Sequence, residues 1–275
     1  MLMIRNLVYH IFPCPDAHWH WKWNIDTLSQ YINRFNGKII VGIAVEPKGG
    51  EFHSDSAEEV IDRFLNTEHL MGKALLKHKK EPEFIVRQNY GHLRECTTFY
   101  DMLKIVESKR EDEITFFAHA KGMRKSRQRY LHAIRRWISF MLKRNLDDID
   151  FIDSIMREYG CAGGLKGEAG KGSPIHGYDK NIFNKKEWFY DGSFTWFNHR
   201  KLFSNPEHYN SELMDYAYGV EWYPCQMFDW KEACDITTKE HRNILFKGSR
   251  TFLWVWIELL SHDKTAISWF NMKGL

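Results

Sequence analysis

Two apolar periods alternate along the chain up to residue 120, and that alternation leaves few folds open. NLVYHIF (residues 6–12), KIIVGIAV (38–45), EFIVRQN (83–89) and EITFFAHA (113–120) are short runs rich in apolar and β-branched residues. Runs of that length and type suit strands with covered faces. Between them lie amphipathic stretches. DSAEEVIDRFL (55–65) opens with Asp55 and Glu58 at capping-box spacing, and CTTFYDMLKIVES (96–108) reads as a second helix. Strand and helix in turn predict an α/β fold with a mixed, mainly parallel sheet flanked by helices.

Beyond residue 126 the pattern turns helical. Leu131, Ile134, Trp137, Ile138 and Met141 recur at spacings of three and four, one stripe aimed at the sheet, with Arg127, Arg135, Lys143 and Arg144 away from it. A break near Asn145 precedes a further helix, DDIDFIDSIMREYG (147–160). The next stretch (160–174) holds six glycines and a mis-spaced relative of a phosphate-binding loop. It reads as a flexible surface loop, of the kind that closes over substrates. SFTWF predicts a strand with Phe194 and Trp196 on one side and Thr195 and Phe197 on the other. AHWHWKWN (17–24) reads as a loop after the first strand, placed to cover a nucleobase, to meet a lipid or polymer acceptor, or simply to pack.

With 43% hydrophobic and 27% charged residues among 275, the composition is that of a soluble globular protein. TFLWVWIELL (251–260), the most apolar run, is short and carries Glu258, so neither a membrane span nor a secretory leader is expected. Five cysteines, widely scattered, give neither metal-ligand spacing nor a disulfide framework, and a reducing cytoplasm is the expected setting. Net charge is only +3, yet residues 121–144 hold nine Lys or Arg and no acid, a patch suited to phosphate, anionic lipid or nucleic acid. Aromatic residues reach 15%, with 11 Trp, which serve either as core or as flat platforms for sugar rings.

In parallel α/β sheets, ligands bind beyond the carboxyl ends of the strands. Four such ends carry polar groups: His10; Asn89; His119-Ala120-Lys121-Gly122; and Asp191-Gly192-Ser193. A lysine supplies a mobile point cation, a glycine lets backbone approach a ligand, and an imidazole donates to a phosphate oxygen. His119, Lys121 and Gly122 together fit a leaving diphosphate. The plainer reading has His119 closing the strand and Lys121 in solvent.

NLVYHIFP…FNGKIIVGIAV, NYGHLRE…FYDML, FFAHAKG, WFYDGSFTWFNHRKLF and VEWYP occur in this order along about three quarters of the chain. In that order and spacing the sequence resembles glycosyltransferase-like proteins of polysaccharide synthesis, the nucleotide-diphospho-sugar transferases of glycosyltransferase A fold. The resemblance implies one domain over residues 1–275: a nucleotide-sugar-binding half (1–125), a helical insert with the acceptor half (126–235) and a C-terminal helical extension (236–275). It implies transfer of a hexose-like sugar from a nucleotide donor to a glycan or glycoconjugate acceptor. His10, Asn89, Arg94, Glu95, His119, Lys121 and Gly122 then serve the donor diphosphate, although Arg94 and Glu95 equally suit capping of the helix that follows.

Many such enzymes hold Mg²⁺ or Mn²⁺ on an Asp-x-Asp just after a strand. Asp148-Ile149-Asp150 matches the letters only and reads as a helix cap, so either the metal is held otherwise or His119, Lys121 and arginines replace it. Inverting transfer needs a carboxylate base, and Glu221 and Asp191 are the candidates. Trp222 and Tyr223 flank Glu221; with Ser193 and Trp196 they are the expected acceptor contacts, while a surface Glu221 and a core Trp196 remain the ordinary alternatives. Two other functions compete. One is a nucleic-acid-binding module built on residues 121–144, which near-neutral charge and the buried stripe of that helix oppose; the other is a catalytically inactive carbohydrate-binding relative.

Overall fold

Four strands run side by side in one direction at the heart of the fold, each close to where the sequence predicts it. The computed structural model describes residues 2–14, 18–47, 54–89, 93, 95–120, 128–168, 188–190, 193–215 and 219–237. In chain order the elements are β1 (Ile4–Ile11), α1 (His18–Ser29), β2 (Ile39–Val45), α2 (Ala57–Leu65), α3 (Leu70–His78), β3 (Pro82–Gln88), α4 (Cys96–Val106) and β4 (Glu113–His119). They continue with α5 (Gln128–Leu146), α6 (Ile149–Glu158), β5 (Cys161–Gly163), β6 (Lys166–Glu168), β7 (Trp188–Tyr190) and β8 (Thr195–Asn198). Last come α7 (His199–Phe203), α8 (Ser211–Met214), α9 (Gly219–Met227) and β9 (Ala233–Asp235).

The main sheet has the order β3-β2-β1-β4-β8-β5-β9. β3, β2, β1 and β4 are mutually parallel, β8 is antiparallel to both β4 and β5, and β9 is parallel to β5. β6 and β7 form a separate antiparallel pair. Alternate residues feed two apolar layers: Leu7, Tyr9 and Phe116 pack on one face, Val8 and Phe117 on the other. Each such side chain contributes about 1.5–3 kcal/mol through its burial. Phe194 and Trp196 belong to the first layer and Phe197 to the second, as the strand alternation predicts.

Several expectations need correction. The segment read as a loop after β1 is helical from His18 onward; Trp21, Ile25 and Leu28 give it a fully buried face. The cap of α2 is Ser56, whose hydroxyl accepts from the Glu59 amide, while Asp55 instead accepts from the Trp21 indole at 2.7 Å. The glycine-rich stretch is not all loop, because β5 and β6 lie within it and β5 is buried in the main sheet. Its remainder, from residue 169, lies outside the described residues, as does the expected helical extension beyond residue 237. Trp196, expected at an acceptor site, is fully buried. Its ring packs on Phe116 and Phe35 and its indole donates to the Asn145 carbonyl at 3.2 Å. Asp148 does cap α6, accepting from the Phe151 amide.

One glycine fixes a contact the site depends on. A Cβ on Gly42 in β2 would stand 2.4 Å from Thr98 Oγ1 and 2.6 Å from Met102 Sδ, so α4 lies directly on the strand there. The opposite, amino-terminal edge carries a buried polar network. His199 bonds Thr115 Oγ1 (2.6 Å) and Ser108 Oγ (2.9 Å), and Glu113 accepts from Ser108 and Asn6. Burial pushes the His199 imidazole toward its neutral form, opposed by Glu113.

Candidate functional site

The carboxyl ends of β1 and β4 place two histidines side by side, since His10 and His119 are register partners. Both are buried. Beyond them the strands stay joined, the Ala120 amide donating to the His10 carbonyl at 2.9 Å. Each ring is held by a residue at the start of α4. His119 Nδ1 lies 2.6 Å from Glu95 Oε1, and His10 Nδ1 lies 2.7 Å from Thr98 Oγ1. A carboxylate or hydroxyl fixed on one ring nitrogen sets the tautomer and aim of the other.

Glu95 occupies the N-cap position of α4, yet its side chain makes no capping bond; the carboxylate turns to His119 instead. The capping bond foreseen for it is therefore not made. Thr98 reaches His10 because α4 rests on Gly42, itself the register partner of His10 on the β2 side. Burial lowers the His10 pKa to about 4; Glu95 opposes that shift and His119 adds to it. His10 is thus a neutral hydrogen-bonding group at neutral pH, one wall of the site and not its charge.

A fourth element, α9, closes in. The Gly219 and Val220 amides at its start face the sulfur of Cys96, and Glu221 is near enough to influence that thiol. Burial and Glu95 push Cys96 up to about 12, which makes it an unreactive packing group. Glu221 is partly exposed on the first turn of α9. Trp222 and Tyr223 do not flank it on the surface: both are buried, and the Tyr223 hydroxyl donates to the His208 carbonyl at 2.8 Å. They anchor α9 in the core, and neither presents an exposed face for the acceptor contact foreseen for it.

Ser193 precedes β8, two residues before Thr195, which pairs with Phe117 of β4. The ring of Phe194 stands 5.7 Å from that of His119. Ser193 has φ of 55°, a left-handed conformation that costs a residue bearing Cβ about 1–2 kcal/mol. Its buried hydroxyl has no hydrogen-bond partner among the described residues. Strain and a hydroxyl without a partner among the described residues coincide at this one position. Asn89 lies farther along the same edge, donating to Glu46 Oε2 at 2.8 Å and through its amide to Val45. Arg94, Lys121, Gly122 and Asp191 lie outside the described residues.

The structure therefore gathers His10, Glu95, His119 and Glu221 from four elements, with Ser193 alongside, and leaves Trp196, Trp222 and Tyr223 in the core. Thr98 was missed by sequence reasoning; the signal for it is a hydroxyl on the buried face of a helix that must pass over a strand glycine. No cluster of His, Cys, Asp and Glu able to hold a metal ion occurs among the described residues, and no helix among them is long and apolar enough to cross a membrane.

No family model matches the chain, and neither does any curated protein sequence. Among solved structures, it is similar to a protein described as a nucleotide-diphospho-sugar transferase from Desulfovibrio desulfuricans G20. That match has 10% identity and a TM-score of 0.37 and covers 96% of each chain. It is also similar to the 2-C-methyl-D-erythritol 4-phosphate cytidylyltransferase of Francisella tularensis, at 11% identity and a TM-score of 0.35, covering 88% of this chain and 100% of that one. Overlap at this level carries no chemistry across from either protein.

Proposed function

We propose that the chain is a glycosyltransferase, of glycosyltransferase A type, that takes a sugar from a nucleoside-diphosphate donor and holds the diphosphate at the carboxyl ends of β1 and β4. The observation that carries this reading is the pairing of His119 with Glu95 beside the neutral His10, on the sheet edge where parallel α/β folds bind ligands. Residues 1–125 would form the donor half and 126–235 the acceptor half. Lys121 and Gly122, next in sequence after the edge, would add a mobile cation and close backbone approach.

In a single displacement, an acceptor hydroxyl attacks the anomeric carbon and its proton passes to a carboxylate. The bond from that carbon to the diphosphate oxygen breaks, and the electron pair leaves with the diphosphate. Glu221 is the base on this reading, held at the rim by the buried Trp222 and Tyr223. Asp191 is the second candidate. Donors fixed before reaction stabilise charge on the leaving group without reorganising, the role assigned to His119 and Lys121. Ser193 would bond a sugar hydroxyl. A glycan or glycoconjugate is the acceptor class, within polysaccharide synthesis. Mg²⁺ or Mn²⁺ remains an open partner of the donor diphosphate.

A thermal-shift and calorimetric panel of UDP-, GDP- and dTDP-sugars, with and without Mn²⁺, tests the reading. At least one donor is expected to raise Tm by several degrees at saturating concentration. Glu95→Gln and His119→Ala should weaken that donor about tenfold or more, as expected for loss of a charge-assisted bond. A flat panel in every condition would overturn the assignment.

A further inference from the structure

β3 ends the main sheet among the described residues, and its outer side is open: Val86, Arg87 and Gln88 are exposed. Such an edge presents unpaired amides and carbonyls. Which ones follows from the inner ladder. The Asn89 amide donates inward to Val45, so odd-numbered residues turn their polar groups toward β2 and even-numbered ones turn them outward. The outward set is Phe84, Val86 and Gln88, with Pro82 offering only a carbonyl. Consistent with this, the Val86 carbonyl is met at 3.0 Å by Nη1 of Arg87, a side chain leaning along the edge.

We infer that β3 is a self-complementary edge on which a second copy of this chain docks, antiparallel, about a two-fold axis at Ile85. Outward residues must face outward residues, which restricts the register to a few choices. Centring on Ile85 sets Phe84 opposite Val86 of the second copy as a hydrogen-bonded pair, exchanging both backbone bonds. The same register sets Glu83 opposite Arg87 twice, once on each side of the axis, on the face that carries α4. Shifting the register by two residues sets Glu83 opposite Ile85 or Asn89 and Arg87 opposite Glu81 or Ile85, so centring on Ile85 is the register in which both strand charges find an opposite partner. Arg87 already gives Nε to Asp101 at 2.8 Å, and its remaining donors can take Glu83 of the second copy without breaking that pair. Opposite charges directly across an antiparallel pair are favourable and like charges unfavourable, so the sequence PEFIVRQ encodes its own partner.

Sedimentation velocity over a concentration series tests this, because the register makes the charges interchangeable. Wild type is expected to show a concentration-dependent dimer. Glu83→Arg alone and Arg87→Glu alone each place like charges opposite one another twice and should raise the dimer Kd about tenfold or more. The double swap Glu83→Arg with Arg87→Glu restores both pairs and should return Kd to within about threefold of wild type. Ile85→Cys, on the axis, should form an intermolecular disulfide on mild oxidation, identified by peptide mass. A wild type that stays monomeric across the series overturns the proposal. So does a double swap no better than the single variants, or a dimer that neither charge reversal nor the Ile85→Cys crosslink touches, which would put the interface elsewhere.

Discussion

His10 shows how much of this site one side chain can decide. It was legible as a polar group at a strand end; what the sequence could not convey was that burial makes it neutral. Its pKa falls from 6.5 to about 4, mainly through desolvation. A histidine lowered in this way favours the folded state above the unfolded pKa, and that contribution is lost as pH drops from about 6.5 toward about 4. The unfolded chain takes up the proton first, so stability rises with pH in that window, by about 3 kcal/mol for this group. His199 acts in the same direction. Urea unfolding of His10→Gln between pH 7 and pH 4 should therefore give a visibly shallower loss of stability than wild type. An unchanged slope would contradict the desolvated state assigned to His10. Glu95 and His119 are likewise legible in the sequence, but the bond between them is not, because a helix N-cap and a strand end are linked only by the tertiary path.

At the scale of elements, legibility followed burial. β1, β2 and β4 have continuous apolar runs because both faces of the sheet are covered, and such runs can be read directly. α1 escaped notice because Trp and His alternate along it and blur the helical stripe. α9 escaped because Pro224 sits within it, removing an amide that the helix pattern expects. The close packing of α4 on β2 gives a direct test. Gly42→Ala would drive a methyl into Thr98 and Met102. Because overpacking of this kind costs about 1–3 kcal/mol, denaturant unfolding should show a loss of that size. The same variant should weaken donor binding, since Thr98 can no longer keep its place against His10. Wild-type stability in Gly42→Ala would mean that α4 does not lie on the strand as described.

At the scale of the whole molecule, the main mixed sheet uses its two ends differently. The amino-terminal edge is sealed by the His199, Glu113, Ser108 and Asn6 network, while the carboxyl edge brings together His10, Thr98, Glu95 and His119. The parallel frame was readable from the alternation of strand and helix. The insertion of β8 antiparallel between β4 and β5 was not, because short strands carry too few residues to declare a direction. That insertion puts Trp196 in the core and lifts Ser193 toward the site, which separates residues that look equivalent in sequence. A crystal structure with a bound nucleoside-diphosphate sugar is the most direct test of the central claim. The account predicts a diphosphate seated over the ends of β1 and β4, against His119 and the first turn of α4, with the sugar turned toward Glu221. A donor seated on any other edge or face, with the Glu95–His119 pair untouched, would contradict it.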